Sequence, residues 1–343
     1  MQIEQFRQRL RALGAKPEHE QRMLRDWLQL RPRDAGRRPA NDYLPLSVRA
    51  ALPAIDDELH GIASLVSTHP ADNGSARLLV SLADGQMVES VLLPRDGLCI
   101  SSQIGCAVGC GFCMTGRSGL IRQLTSGEML AQVVLARSLA RVKKIVFMGM
   151  GEPAHNLDNV LEAIDVLGTE GDIGHKNLVL STVGDMRVFE RLPQQRVKPA
   201  LAISLHTTKN ALRRQLLPRA PDLSPAELVK MAEAYSRLTN YPIQYQWTLL
   251  EGVNDGDDEV SGIIELLRGK YAVMNLIPYN AVPDLPYRRP AWERAKTMVR
   301  MLHDNGIAAS LRDSAAQEVD GGCGQLRARA MVPPRRQIVL QPA

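Results

Sequence analysis

Six short apolar runs recur through the later two thirds of this 343-residue chain, and their spacing restricts the fold more than any other feature. They read "KKIVFMGM", "NLVLST", "LAISLH", "YQWTLL", "AVMNLIPYN" and "GIAASLR". A short apolar run with no polar alternation is the pattern of a parallel strand buried on both faces. Between the runs lie stretches of helical period, among them "LDNVLEAIDVLG", "SPAELVKMAEAYSRL" and "PAWERAKTMVRMLHDNG". Strand and helix in turn predict an α/β fold, best matched by an incomplete barrel, with an open doubly wound sheet as the alternative. The pieces "GMGEP", "STVG", "SLHTT" and "PYN" each follow a strand directly. Carboxyl ends of parallel strands share one face, so all four point at one site.

Four regions are expected. Residues 1–75 read as a basic helical module that contacts RNA, and 76–97 as a β-hairpin turning at Asp84-Gly85 with Glu89 in its second strand. Residues 98–316 carry the barrel, and 317–343 a cysteine loop and basic tail. The net charge is +5, unevenly spread. Residues 1–40 hold ten Lys/Arg against five Asp/Glu, and Arg327, Arg329, Arg335 and Arg336 follow Cys323 with no acid between. A polyanion suits this balance, with phosphate contacts expected from Arg7, Arg9, Arg11, Arg31, Arg33, Arg37 and Arg38 and the C-terminal arginines. A merely solvated basic surface is the alternative. The N-terminus has no apolar secretory core and no run reaches membrane-spanning length, so a cytoplasmic protein without membrane contact is expected.

Four of the five cysteines crowd into "CISSQIGCAVGCGFC", and the fifth, Cys323, stands alone in "GGCGQL". Cys106, Cys110 and Cys113 have the spacing CxxxCxxC. Three thiolates on a tight loop can hold three irons of a cubane cluster and leave the fourth open. A zinc site, which usually takes four ligands, and free thiols are the alternatives. Glu152 in "GMGEP" supplies a carboxylate at a strand end, and Phe112 an apolar ring beside the third cysteine.

CxxxCxFC followed by "GMGEP" resembles the radical S-adenosylmethionine (SAM) superfamily. The runs "CISSQIGC", "LSTVG", "AISLH", "GVNDG", "NLIPYN" and "CGQL", in that order, resemble its RlmN/Cfr-like branch of RNA adenine methyltransferases. The resemblance implies a (β/α)6-type barrel and a [4Fe-4S] cluster on Cys106, Cys110 and Cys113. It implies SAM held by Gly151, Glu152, Ser181, Ser204, Leu205, His206 and Asn280, with two SAM molecules per turnover. Cys323 would take a methyl group by displacement, and a 5′-deoxyadenosyl radical would take a hydrogen from it. The resulting carbon radical would add to an adenine carbon, C2 favoured over C8, in 23S rRNA or tRNA. Cys99 would release the adduct, and Glu89 matches the family's proton acceptor. A disulfide bond, an electron donor such as flavodoxin or ferredoxin, and a monomeric state complete what the resemblance implies. The chain departs from the family in "STVGDMRVFERL", in "QYQWTLLEGVND", and in "AAQEVDGGCGQL" before the second cysteine. A different RNA, a partner protein, or a zinc-stabilised RNA-binding module are the competing readings.

Overall fold

The chain opens with four helices, α1 (Ile3–Ala12), α2 (Pro17–Leu28), α3 (Ala40–Tyr43) and α4 (Leu46–Gly61), in a computed structural model that describes residues 1–33, 39–117 and 119–328. Phe6, Leu10, Met23, Leu24 and Leu28 are buried and join the main hydrophobic core of the protein. Strand β1 (Ala63–Pro70) follows, so the first seventy-five residues are not helical throughout. Strands β2 (Ala76–Leu82) and β3 (Met87–Leu93) form the expected hairpin, and β1 pairs antiparallel with β2.

From β4 (Gly97–Cys99) the connections become crossovers. Strands β5 (Gln103–Gly105) and β6 (Leu120–Gln123) pair with each other and bracket the cysteine loop. Then come α5 (Ser126–Leu139), β7 (Lys144–Phe147), α6 (Leu157–Thr169), β8 (Leu178–Thr182), α7 (Met186–Arg191) and β9 (Ala200–Ser204). Helices α8 (Asn210–Leu216) and α9 (Pro225–Thr239) lead to β10 (Ile243–Leu249), α10 (Asp257–Leu267), β11 (Ala272–Pro278), α11 (Trp292–Asp304) and β12 (Ala309–Leu311). Helices α5 and α9 start at capping boxes, Thr125/Glu128 and Ser224/Glu227, which satisfy backbone donors that a helix leaves unpaired.

The main sheet has the order β1-β2-β3-β4-β7-β8-β9-β10-β11-β12. It is antiparallel up to β4 and parallel from there. This is the incomplete α/β barrel expected from the alternation, since β12 pairs only with β11 among the described residues. One strand is additional to the six apolar runs. Strand β4 is only three residues long, too short for periodicity to reveal, yet its last residue is Cys99.

The N-terminal helices are fastened to the barrel by named polar contacts. Glu162 of α6 accepts from Glu4 N at 2.7 Å, Ile3 N at 3.1 Å and the Ser126 hydroxyl. It thereby serves the first turn of α1, where backbone donors are unpaired and a negative charge is favourable. Arg137 of α5 donates to Leu28 O and Gly171 O, both at 2.7 Å. The same docking engages the arginines expected to meet phosphate: Arg7 with Glu170, Arg9 with Glu58, Arg11 with Glu4 and Glu20, Arg33 with Asp56. Arg37, Arg38, Arg329, Arg335 and Arg336 lie outside the described residues. Glu162→Ala should cost about 1–3 kcal/mol, because two backbone donors lose a charged acceptor. A lower urea midpoint with faster amide exchange in α1 is the expected result; an unchanged midpoint would refute this docking.

Candidate functional site

The carboxyl ends of the parallel strands supply the site, and the local sequence explains how each piece is shaped. After β7 the chain turns through "GMGEP", where Gly151 has φ +103° and a Cβ would meet the Gln103 side chain at 2.6 Å. That closeness serves a contact, as Gln103 Oε1 accepts from Glu152 N at 2.7 Å. Glu152 is buried, and its carboxylate accepts from Ala154 N at 3.1 Å and Val183 N at 3.0 Å. Burial outweighs these bonds and pushes its pKa up to about 7. Ser181 lies at the end of β8 and Ser204 at the end of β9, both directed by the register to the same side of the sheet.

His206 follows β9 with a left-handed backbone, φ +61°. Its Nδ1 accepts from Thr248 N at 2.9 Å, and its ring meets Phe112 edge-on with centroids 4.8 Å apart. Burial, aided by the Arg213 charge, drops its basicity to about 3, so the ring is neutral and Nε2 carries the proton. Asn254 of "GVNDG" donates to His206 O at 2.7 Å and Thr248 O at 2.8 Å, and accepts from Leu250 N at 2.8 Å. Leu205 N is held by Gln246 O at 3.0 Å.

Cys106, Cys110 and Cys113 sit on the loop between β5 and β6. The loop is kept tight by Cys106 N to Gly119 O at 3.0 Å, Gly111 N to Leu216 O at 2.9 Å and Cys113 N to Cys110 O at 3.1 Å. Val108, Phe112, Val183, Leu216, Leu250, Tyr279 and Val282 form a separate apolar cluster around the three thiols. Burial pushes the Cys106 thiol up to about 12 and raises Cys110 and Cys113, and neighbouring groups of like sign raise Cys106 and Cys110 further.

The arrangement fits an iron–sulfur cubane. The three thiols share a water-poor pocket on one tight loop, and three such cysteines can hold three irons and leave the fourth open. The buried Arg213 guanidinium adds a positive charge facing Cys110 and Glu152, and its Nε has no partner within the protein. Its other nitrogens donate to Ser204 O at 2.9 Å, Leu205 O at 2.8 Å and Val183 O.

Cys323 arrives from the far end of the chain. Met114 N donates to Gly324 O at 2.7 Å, and Thr115 Oγ1 to Leu326 O at 2.7 Å, so the Cys323 segment rests on the cysteine loop. Asn280 Nδ2 donates to Cys323 O at 3.0 Å and Ser314 Oγ at 2.8 Å. The glycines here serve close approach, since a Cβ on Gly322 would meet Gln325 at 2.6 Å and Asn280 at 2.8 Å. Cys323 is solvent-accessible within this walled site, while Cys99 is buried and its thiol is raised by burial first and by Cys323 second. The expected disulfide is absent: all five cysteines are free thiols. A cubane needs three of them as thiolates, and the remaining two come close without bonding.

Glu89 is buried on the hairpin, paired with Arg77, and its other oxygen accepts from Arg327 N at 2.8 Å and Ala328 N at 3.0 Å. Desolvation nevertheless raises its pKa. Outside this ring of groups, burial lowers the Lys144 ammonium, and the charges of Arg312 and Arg95 lower it further. None of the three has an ion pair among the described residues. Sequence reasoning missed Gln103, Arg213, Arg77 and the hydrogen-bonding role of Asn254. Gln103 and Asn254 sit inside quoted motifs, but Arg213 in "LRRQLLP" reads as a solvated helix face.

The Radical SAM superfamily model matches residues 100–266. A protein of Leptothrix cholodnii named as a probable RNA methyltransferase is 68% identical, covering 100% of this chain and 99% of its own length. One from Azoarcus sp., named likewise, is 68% identical over 98% of this chain and 97% of its own. A solved radical SAM methyltransferase from Sphaerobacter thermophilus superposes with a TM-score of 0.82 at 33% identity, covering 96% of this chain and 98% of that one. With the cysteine loop, the strand-end pocket and these full-length likenesses together, this chain belongs to the radical SAM superfamily, in the family of the curated probable RNA methyltransferases that it matches from end to end.

Proposed function

We propose that the protein methylates an adenine ring carbon of RNA, C2 in preference to C8, in 23S rRNA or tRNA, with Cys323 as the methyl carrier. The observation that carries this reading is the seat of the Cys323 segment on the cysteine loop through Met114 N and Gly324 O. A radical enzyme acting on a partner protein would need the cluster but would have no task for Cys323, nor for Cys99 beside it. The relatives' name supplies the substrate class. An adenine C2 or C8 position offers neither an acidic proton nor a nucleophilic carbon, which is why a radical route is required.

Cys106, Cys110 and Cys113 would hold the cluster, with Gly151, Glu152, Ser181, Ser204, Leu205, His206 and Asn280 around SAM. Once bound, these two groups supply reductive cleavage of SAM to a carbon radical. The protein's own residues orient and shield. Glu152 offers a carboxylate to an amine, Phe112 and the apolar cluster exclude water, and Arg213 holds the ends of β8 and β9 in register. Cys99, whose thiol is influenced by Cys323, would attack the Cys323 sulfur after methyl transfer, forming a Cys99–Cys323 disulfide as the sulfur–carbon bond to the methylated base breaks. An electron donor of flavodoxin or ferredoxin type, two SAM per turnover and action as a monomer belong to the same proposal.

Cys323→Ala should abolish methyl transfer while 5′-deoxyadenosine is still formed. Protein reconstituted anaerobically would be given methyl-labelled SAM, a reductant, and rRNA or tRNA lacking the modification, and the digested nucleosides scored for 2-methyl- and 8-methyladenosine. Label in RNA from the variant would overturn the carrier role. Label in neither RNA from the native protein, with 5′-deoxyadenosine still made, would assign the altered "AAQEVDGG" approach to another substrate.

Arg95, Lys144 and Arg312, which interact with one another and have no ion pair among the described residues, are proposed to meet phosphate in place of Arg7, Arg9, Arg11 and Arg33, which are held by carboxylates. Replacing all three by Gln should weaken RNA binding and flatten the slope of log affinity against log salt by about 2–3, since each phosphate contact contributes roughly 0.7–0.9. An unchanged slope in a filter-binding titration would remove them from the interface.

A further inference from the structure

A single buried ion pair touches both ends of the segment that carries Cys323. Arg77 of β2 and Glu89 of β3 are each 1% exposed and lie diagonally across the hairpin. Arg77 Nη1 donates to Glu89 Oε1, and Arg77 Nε to Val319 O at 2.7 Å. Glu89 Oε2 accepts from Arg327 N at 2.8 Å and Ala328 N at 3.0 Å. The acceptor Val319 lies before Cys323 and the donors Arg327 and Ala328 after it, so the loop leaves and returns to the same two side chains. Gly321 also packs here, where a Cβ would come within 3.3 Å of Arg77 Cβ.

The pair is wired to the rest of the site. The Glu89 carbonyl accepts from Ser101 Oγ at 2.6 Å, and Ser101 Oγ accepts from Met150 N at 2.8 Å. Gln132 fixes Ser101 from below, accepting from its N at 2.9 Å and donating to its O at 3.0 Å. Glu89 thus connects the "GMGEP" turn to the Cys323 loop through buried and part-buried bonds.

We infer that Arg77 and Glu89 are positioning residues, a two-residue clasp that closes the Cys323 loop over the cysteine pocket. An ion pair suits the task better than apolar contact. Burying it adds little net stability, but its bonds are directional and leave one arrangement of the loop ends satisfied. Both Glu89 oxygens are occupied by these bonds, so Glu89 acts on the reaction through the place of Cys323. The inference rests on Cys323 as the methyl carrier for its purpose, though not for its test.

The test uses the full-length, cluster-reconstituted protein and its Arg77→Lys, Glu89→Gln and doubly substituted variants. Alkylation of Cys323 by N-ethylmaleimide would be followed by peptide mass spectrometry, with amide exchange over residues 319–328. Each single variant should quicken both by about tenfold, the scale of one charge-assisted hydrogen bond. The double variant should be no faster than the faster single, because the clasp is one unit. Native rates in both singles, or effects that multiply in the double, would overturn the inference. Arg77→Lys keeps the buried charge and loses only the fork to Val319, so it decides alone if Glu89→Gln fails to fold. Methyl loading of Cys323 from labelled SAM should slow at saturation with half-saturation unchanged, whereas general loss of structure would alter both. If native Cys323 takes up no methyl, the functional reading fails while alkylation and exchange still judge the clasp.

Discussion

Buried backbone at the carboxyl ends of parallel strands must find hydrogen-bond partners once the ladder stops, and this requirement shapes the whole site. Strands β7 to β10 end inside the protein, where water cannot serve their last carbonyls and amides. Side chains therefore do so: Glu152 accepts from Val183 N, Asn254 brackets His206 O and Thr248 O, and Arg213 takes three carbonyls across two strand ends. Each is a polar or charged group that would be costly to bury alone and is favourable only in this setting. The rim left over is rigid, rich in directed groups, and open toward the cysteine loop.

Two kinds of environment meet at that rim. The thiols of Cys106, Cys110 and Cys113 lie among apolar side chains, which raises the cost of their charge and favours ligation over free thiolate. The strand-end pocket beside them is polar, with a neutral His206 and a Glu152 whose carboxyl is pushed up by burial. A zwitterionic ligand with an apolar body fits between such surfaces. Positive charge divides in the same way: Arg7, Arg9, Arg11 and Arg33 are tied to carboxylates, while Arg95, Lys144 and Arg312 repel one another and have no ion pair among the described residues.

Much of this was legible in advance. Apolar runs separated by helical period specify a parallel α/β sheet, because the same run cannot alternate polar residues to solvent. The three cysteines of CxxxCxFC, Glu152 and His206 were readable because local spacing dictates their chemistry. Strand β4 escaped notice through its brevity, and β1 through its polar alternation next to helices. Arg213 and Arg77 escaped for a different reason. An arginine in "LRRQLLP" or "ARLLVSL" carries no mark that it will be buried, since its partners lie on other elements that only the packed chain brings beside it. The expected disulfide rested on likeness alone, and free thiols stand in its place.

The sequence by itself determined the order of strands and helices, the cysteine loop, and the turns whose glycines permit close approach, as at Gly151. These are local properties, set by period, side-chain branching and backbone freedom within a few residues. Only the tertiary structure decided that Cys323 meets the cysteine loop, that Cys99 and Cys323 lie near one another unbonded, and that Glu89 is held by Arg77 and the chain beyond Leu326. Such juxtapositions join residues more than two hundred positions apart. They follow from burial, which makes each polar group seek whatever partner the packed chain brings within reach.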